Sequence, residues 1–174
     1  SFISAYVDDL ILYIKDNDVL QKLKQDLLQR YKMTDLGQIG SQEMFLGTSV
    51  DYHQENGTIS FIQKAYIEKV AKNFGLDPNV KPRSTFTPMV TGENGFDLFT
   101  KFYAMHRATQ DSPLVSPTRY RSLIGALLFV NRGTRPDIST AVHIAATASQ
   151  CPREAHMKCA MQILRYLLFT KNFP

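Results

Sequence analysis

Two carboxylates, Asp8 and Asp9, stand side by side between apolar, β-prone runs in the segment Ser1 to Ile14. Like charges that close repel unless a cation sits between them. Strands on both sides would hold the pair rigid, and the ligand this suits is a hard divalent cation bound through oxygen. Mg²⁺, or Mn²⁺ in its place, keeps its other positions for water and substrate phosphates. Aspartate is also a favoured turn residue, and a solvated Asp-Asp turn would leave the same trace in sequence. A second group lies at Tyr120 to Arg132. At helical spacing Tyr120, Leu123, Ile124 and Leu127 share one stripe, while Arg121, Gly125, Phe129 and Arg132 share another. A glycine inside a helix costs about 1 kcal/mol relative to alanine and calls for a reason. Between arginines and beside a phenylalanine, Gly125 would let the minor groove of a duplex come close, with Phe129 on sugars and the arginines on phosphates. The alternative is helix–helix packing at Gly125 with Phe129 in the core. Cys151, His156 and Cys159, with His143 upstream, match no zinc module in their spacing and are expected to be structural.

The elements that must position these groups follow from the pattern. Ser1 to Ile14 is a β-hairpin with Asp8-Asp9 at its tip. Asn17-Asp18 can cap an amphipathic helix carrying Leu20, Leu23, Leu27 and Tyr31, which ends before Gly37. Leu46, Thr48, Val50 and Tyr52 alternate along a strand, Asn56-Gly57 supplies a two-residue turn, and Ile59 and Phe61 mark the return strand. Ile67, Val70, Ala71 and Phe74 set one face of a short helix that Gly75 terminates. From Asp77 to Pro117 proline and glycine break the pattern, giving a long loop with a short helical turn expected near Phe99 to Met105. Three helices close the chain. The first is Tyr120 to Arg132. The second is opened by a capping box at Thr134 to Asp137 and runs to about Ser149, and the third is opened by Pro152 and runs to about Thr170. Strands come first and helices later, so the class is α+β.

Composition narrows the functions open to such a chain. With 174 residues it suits one domain or two small lobes, and is too short for a complete processive polymerase. The longest uncharged apolar run, Leu123 to Val130, is far shorter than a spanning helix needs, so no membrane partner is expected. Two cysteines make no disulfide framework, which favours a reducing, intracellular compartment. Twenty basic against 16 acidic residues give a net charge of +4, which permits a polyanionic partner. The chain opens inside its first strand, as though a longer protein preceded it.

Tyr6-Val7-Asp8-Asp9-Leu10 resembles the Tyr-x-Asp-Asp hairpin of reverse transcriptases. The downstream order is similar to the polymerase of copia-type LTR retrotransposons: Asp35-Leu36-Gly37, Phe45-Leu46-Gly47, Thr87-Pro88-Met89, Tyr120 to Gly125, Thr134 to Ile138, then Pro152 through His156 to Leu164-Arg165-Tyr166-Leu167. Each stretch alone is unspecific; six in the family's order across nearly the whole chain are not.

The resemblance implies a partial palm over residues 1–63, made of two β-hairpins and a helix. A helical thumb over 64–134, with its loop at about 77–117, and a helical connection segment over 135–174 would follow. It implies two-metal nucleotidyl transfer at a primer 3′ end, with Asp8 and Asp9 holding the metals and Tyr6 and Val7 against the nucleic acid. The hairpin with Phe45, Leu46 and Gly47 would be the primer grip; a plain bulge also explains a glycine there. Arg121, Gly125, Phe129 and Arg132 would form the thumb's track on the duplex. The implied partners are an RNA or DNA template with its primer, deoxynucleoside triphosphates, and the rest of the polymerase with its ribonuclease H domain. A third carboxylate and the fingers would come from earlier sequence, so these residues alone are not expected to polymerise. Two other readings stay open: a decayed or host-adopted remnant that binds nucleic acid or protein without catalysis, and a purely structural domain.

Overall fold

A computed structural model of the chain describes residues 1–38, 44–45, 48–53, 55–80, 87–89 and 113–173. The expected helical turn near 99–105 lies outside them, as do Leu46 and Gly47.

The two apolar runs at the start pair antiparallel, as β1 (Phe2–Tyr6) and β2 (Asp9–Tyr13). The register matches Phe2 to Tyr13, with the rings stacked at 5.1 Å, and Tyr6 to Asp9. The tip therefore differs from the expectation. The turn is Val7-Asp8, and Asp9 is already the first residue of β2. The turn was expected to fall on the two aspartates, which tolerate tight-turn dihedrals. Instead Val7 takes φ 49°. That is a costly conformation for a β-branched residue.

Helix α1 (Asn17–Arg30) is capped one residue earlier than Asn17-Asp18 suggested. Asp16 accepts from the backbone N–H of Asp18 (3.0 Å) and Val19 (3.3 Å). Its aliphatic stripe, Leu20, Leu23 and Leu27, is half-buried, and no residue of the helix is fully covered.

A three-stranded sheet follows, in the order β3 (Met44–Phe45), β4 (Thr48–His53), β5 (Thr58–Ile62). The β4–β5 hairpin is the one expected, but His53 pairs with Thr58, so four residues connect the strands instead of two. Within that loop Gly57 supplies the left-handed residue (φ 61°) that closes it. Alternation placed the strands, but the two apolar residues that mark β5 are not its covered ones. Ile59 and Phe61 are exposed, while Ser60 and Ile62 are half-buried.

The core belongs to the helices. Ile67, Val70 and Ala71 of α2 (Lys64–Asn73) pack on Tyr120, Leu123, Ile124, Leu127 and Val130 of α3 (Pro117–Gly133). The same core takes in Ala141, Val142, Ile144 and Ala145 of α4 (Ser139–Ala146) and Ile163, Leu164 and Leu167 of α5 (Glu154–Phe169). Each large aliphatic side chain so buried contributes roughly 1.5–3 kcal/mol, which makes this the stable part of the chain. Helix α2 ends as Gly75 predicts. With Gly75 at φ 78°, the N–H of Leu76 donates to the Ala71 carbonyl and that of Gly75 to Lys72. Ser116 caps α3 with Pro117 at its first position, three residues before the expected start.

The expected capping box at Thr134 to Asp137 does not form. The segment is a short 3₁₀ turn, Pro136–Ile138, leading into α4, with no side-chain cap. Thr134 Oγ1 instead donates to Gln63 Oε1 (3.0 Å), and Asp137 is taken by Arg135 and Tyr166. Pro152 lies two residues before α5, whose cap is supplied by His156: its Nδ1 accepts from the Arg153 N–H at 3.0 Å. Near the end of the long connection, Pro113 and Val115 bond to Glu154 and Pro152, fastening the start of α3 to that of α5.

Candidate metal-binding hairpin and nucleic-acid interface

Hairpin β1–β2 presents Tyr6, Val7, Asp8 and Asp9 together. Val7 at the tip is 88% exposed, Tyr6 and Asp8 are exposed, and Asp9 is half-buried. Pairing of Tyr6 with Asp9 fixes the spacing of these side chains through the backbone ladder. No cationic side chain pairs with Asp8 or Asp9 among the described residues, and no third His, Cys, Asp or Glu joins them in a cluster there. Two adjacent carboxylates without a protein counter-charge supply hard oxygen donors, and so fit a divalent cation that completes its shell elsewhere.

Helix α3 displays the second group. Tyr120, Leu123, Ile124 and Leu127 are buried, as their stripe predicts, and Arg121, Gly125, Phe129 and Arg132 are all exposed on the other. A methyl group built on Gly125 meets nothing within 4 Å among the described residues. Packing against the described helices therefore does not explain this glycine. Nor is Phe129 a core residue, since it is 45% exposed. Its ring lies 4.7 Å from that of Tyr66 on α2, tilted by 53°. Tyr66 went unremarked in the sequence, where it reads as one more aromatic beside the apolar stripe of its helix.

Of the remaining expected residues, Phe45 is placed by its backbone in β3, opposite Thr48. Among the described residues the hairpin packs extensively only strand on strand, and α3 packs on α2, α4, α5 and the 3₁₀ turn, so no extensive contact there joins the two groups. Three of the four cysteines and histidines of the last third have ordinary structural roles, while Cys151 is exposed. Cys159 is buried in the core, which pushes its thiol up to about 11, His156 caps α5, and His143 bonds back to the Ser139 carbonyl at 2.8 Å.

Arg135 was expected to cap a helix and is instead buried, 4% exposed. Its guanidinium donates to both carboxylate oxygens of Asp137 (3.0 and 2.7 Å) and to the carbonyl and hydroxyl of Thr170 (3.2 and 2.7 Å). The Tyr166 ring lies 5.3 Å beneath it, and the Tyr166 hydroxyl donates to Asp137 at 2.7 Å. Partial burial opposes ionisation of Asp137, but the hydrogen bonds from Arg135 and Tyr166 outweigh it and hold the carboxyl below the usual carboxylate range.

A family model described as reverse transcriptase (RNA-dependent DNA polymerase) matches residues 1–91. The chain belongs to that family. It is similar to a putative transposon Ty5-1 protein of Saccharomyces cerevisiae, 30% identical over 171 residues, covering 98% of this chain and 50% of the relative. It is also similar to the retrovirus-related Pol polyprotein from transposon TNT 1-94 of Nicotiana tabacum, 30% identical over 162 residues, covering 93% of this chain and 11% of the polyprotein. An uncharacterized mitochondrial protein of Arabidopsis thaliana is 29% identical over 95% of this chain and 60% of its own length. These relatives bear out the copia-type resemblance, and the chain spans about half or less of the length of the two transposon proteins. No solved structure matches it. Among the described residues no helix is long and apolar enough to cross a membrane.

Proposed function

We propose that this chain carries the catalytic palm hairpin and the duplex-holding thumb of an RNA-directed DNA polymerase, working within a longer polyprotein. Residues 1–63 serve as the palm part with the primer grip at Phe45, Leu46 and Gly47. Residues 64–134 are the thumb, and 135–174 form the helical connection segment, whose described helices pack on the same core. The observation that carries this reading is the hairpin tip: two carboxylates with no counter-charge among the described residues, set beside a turn whose Val7 holds φ 49°. Strain of that kind persists where surrounding structure imposes it, and it collects at functional sites.

Asp8 and Asp9 would hold Mg²⁺, or Mn²⁺, whose role is to make the primer hydroxyl a better nucleophile and to neutralise charge on the triphosphate. Tyr6 and Val7 contribute apolar surface at the same tip, against which the primer end is seated. On α3, Arg121 and Arg132 meet the phosphates of the template–primer duplex, Gly125 lets its groove approach, and Phe129 packs on sugars. Template, primer and deoxynucleoside triphosphates are the partners this assigns.

The test is Asp8→Asn in the full-length polymerase. Loss of a metal-binding carboxylate should lower primer extension by more than about 100-fold, with circular dichroism and melting temperature unchanged. Extension at the wild-type rate would overturn the role given to Asp8.

A further inference from the structure

Tyr66 sits on the first turn of α2, half-buried against the helical core, with its ring against Phe129. The ring alone accounts for the packing. The hydroxyl is the unexplained part, because a covered tyrosine ordinarily gives its O–H to a protein acceptor. Among the described residues this one has no hydrogen-bond partner, and it is not among the fully buried polar atoms, while its ring lies beside the exposed Phe129. Burial raises the phenol above its ordinary value, which keeps it a donor at any physiological pH. Lys69, one turn further along the same helix, is exposed and adds positive charge on that side.

We propose that Tyr66 is a further nucleic-acid contact, donating its hydroxyl hydrogen bond to a sugar–phosphate oxygen of a strand that lies along Arg121, Gly125, Phe129 and Arg132. This rests on the reading of α3 as the duplex track. Phe129 and Tyr66 then act as one surface contributed by two helices, the first packing on sugars and the second fixing the strand's position by a directed bond.

The test is fluorescence anisotropy of the 174-residue chain with a labelled RNA–DNA hybrid of about 20 base pairs at low salt, where phosphate contacts are strongest. Tyr66→Phe keeps the ring and its contact with Phe129 and removes only the hydroxyl. It should weaken binding by about three- to tenfold, the range of one hydrogen bond, with an unchanged melting temperature. The double variant Arg121→Gln/Arg132→Gln should weaken it further and flatten the salt dependence. Wild-type affinity in Tyr66→Phe, or a loss that merely tracks a falling melting temperature, overturns the Tyr66 contact. If the arginine variant still binds more weakly, the α3 track stands without it. A hybrid bound equally by all three proteins, or by none, overturns both.

Discussion

Tyr6 and Asp9 face each other as the last pair of the β1–β2 ladder, which leaves Val7 and Asp8 alone to reverse the chain. The left-handed residue falls on Val7, where the Cβ crowds the carbonyl at a cost of roughly 1–2 kcal/mol. Glycine carries no such penalty, and Val7 makes little packing at 88% exposure. Val7→Gly should therefore raise amide hydrogen-exchange protection across the Ile3–Leu12 and Ala5–Leu10 pairs, despite glycine's greater freedom in the unfolded chain. In the full-length polymerase it should lower extension, because the tip loses the apolar side chain against which the primer end is proposed to seat. Weaker protection in the glycine variant would show that no strain is stored at the turn.

The Arg135 network predicts a large stability loss far from the hairpin. Arg135→Ala takes the guanidinium's bond from the Thr170 carbonyl and leaves the Asp137 carboxylate and the Thr170 hydroxyl with only their bonds to Tyr166. Removing one partner of a buried pair costs about 3–5 kcal/mol, and the solvent access of Asp137 lowers this to about 2–3 kcal/mol. Arg135→Lys should recover little, since one ammonium cannot reproduce the fork that spans Asp137 and Thr170. Urea unfolding of the three proteins measures both.

The same carboxylate gives a pH dependence of definite sign. Asp137 has its folded-state pKa lowered, so the stability it contributes is present above the unfolded value, near 4, and is lost as pH falls through the folded value. Asp137→Asn should cost about 1–2 kcal/mol at pH 7, a charged hydrogen bond discounted for exposure. The gap between variant and wild type should narrow below about pH 4 as the wild-type carboxyl protonates. A gap that stays constant down to pH 2 would remove Asp137 from the network.

What could be read in the sequence was periodic and local. The α3 stripe was legible because helical spacing alone separates Leu123 and Leu127 from Arg121 and Gly125, and the core follows the same rule. The hairpins were legible from alternation, but the cover over each face was not. Ile59 and Phe61 lie on the side of β5 that nothing described here packs against extensively. The misread capping box shows the limit most clearly. Thr134 and Asp137 have the right types and spacing, yet Thr134 bonds to Gln63, 71 residues away, and Asp137 to Tyr166, 29 away, besides its neighbour Arg135, which Thr170 also holds. Such long-range contacts override local chemistry and leave no periodic trace. Tyr66 was missed for the same reason, since only the approach of α2 to α3 brings it to Phe129.

Two glycines of α3 should respond to alanine with opposite signs. At Gly133 an added Cβ would sit 2.7 Å from Gln63 Oε1, in a buried amide already bonded to Thr134. That amide cannot swing away without losing its bond, so Gly133→Ala should destabilise by about 1–3 kcal/mol. At Gly125 nothing stands within 4 Å, so alanine brings only its helix propensity and should stabilise by up to about 1 kcal/mol. The cost of Gly125→Ala should appear elsewhere, as weaker binding to an RNA–DNA hybrid, because the methyl group intrudes where the groove is proposed to lie. Thermal unfolding and anisotropy on the one variant separate the two effects. A glycine kept for packing would lose stability, a glycine without a role would gain stability and keep its affinity, and only a glycine kept open for a ligand gains the first while losing the second.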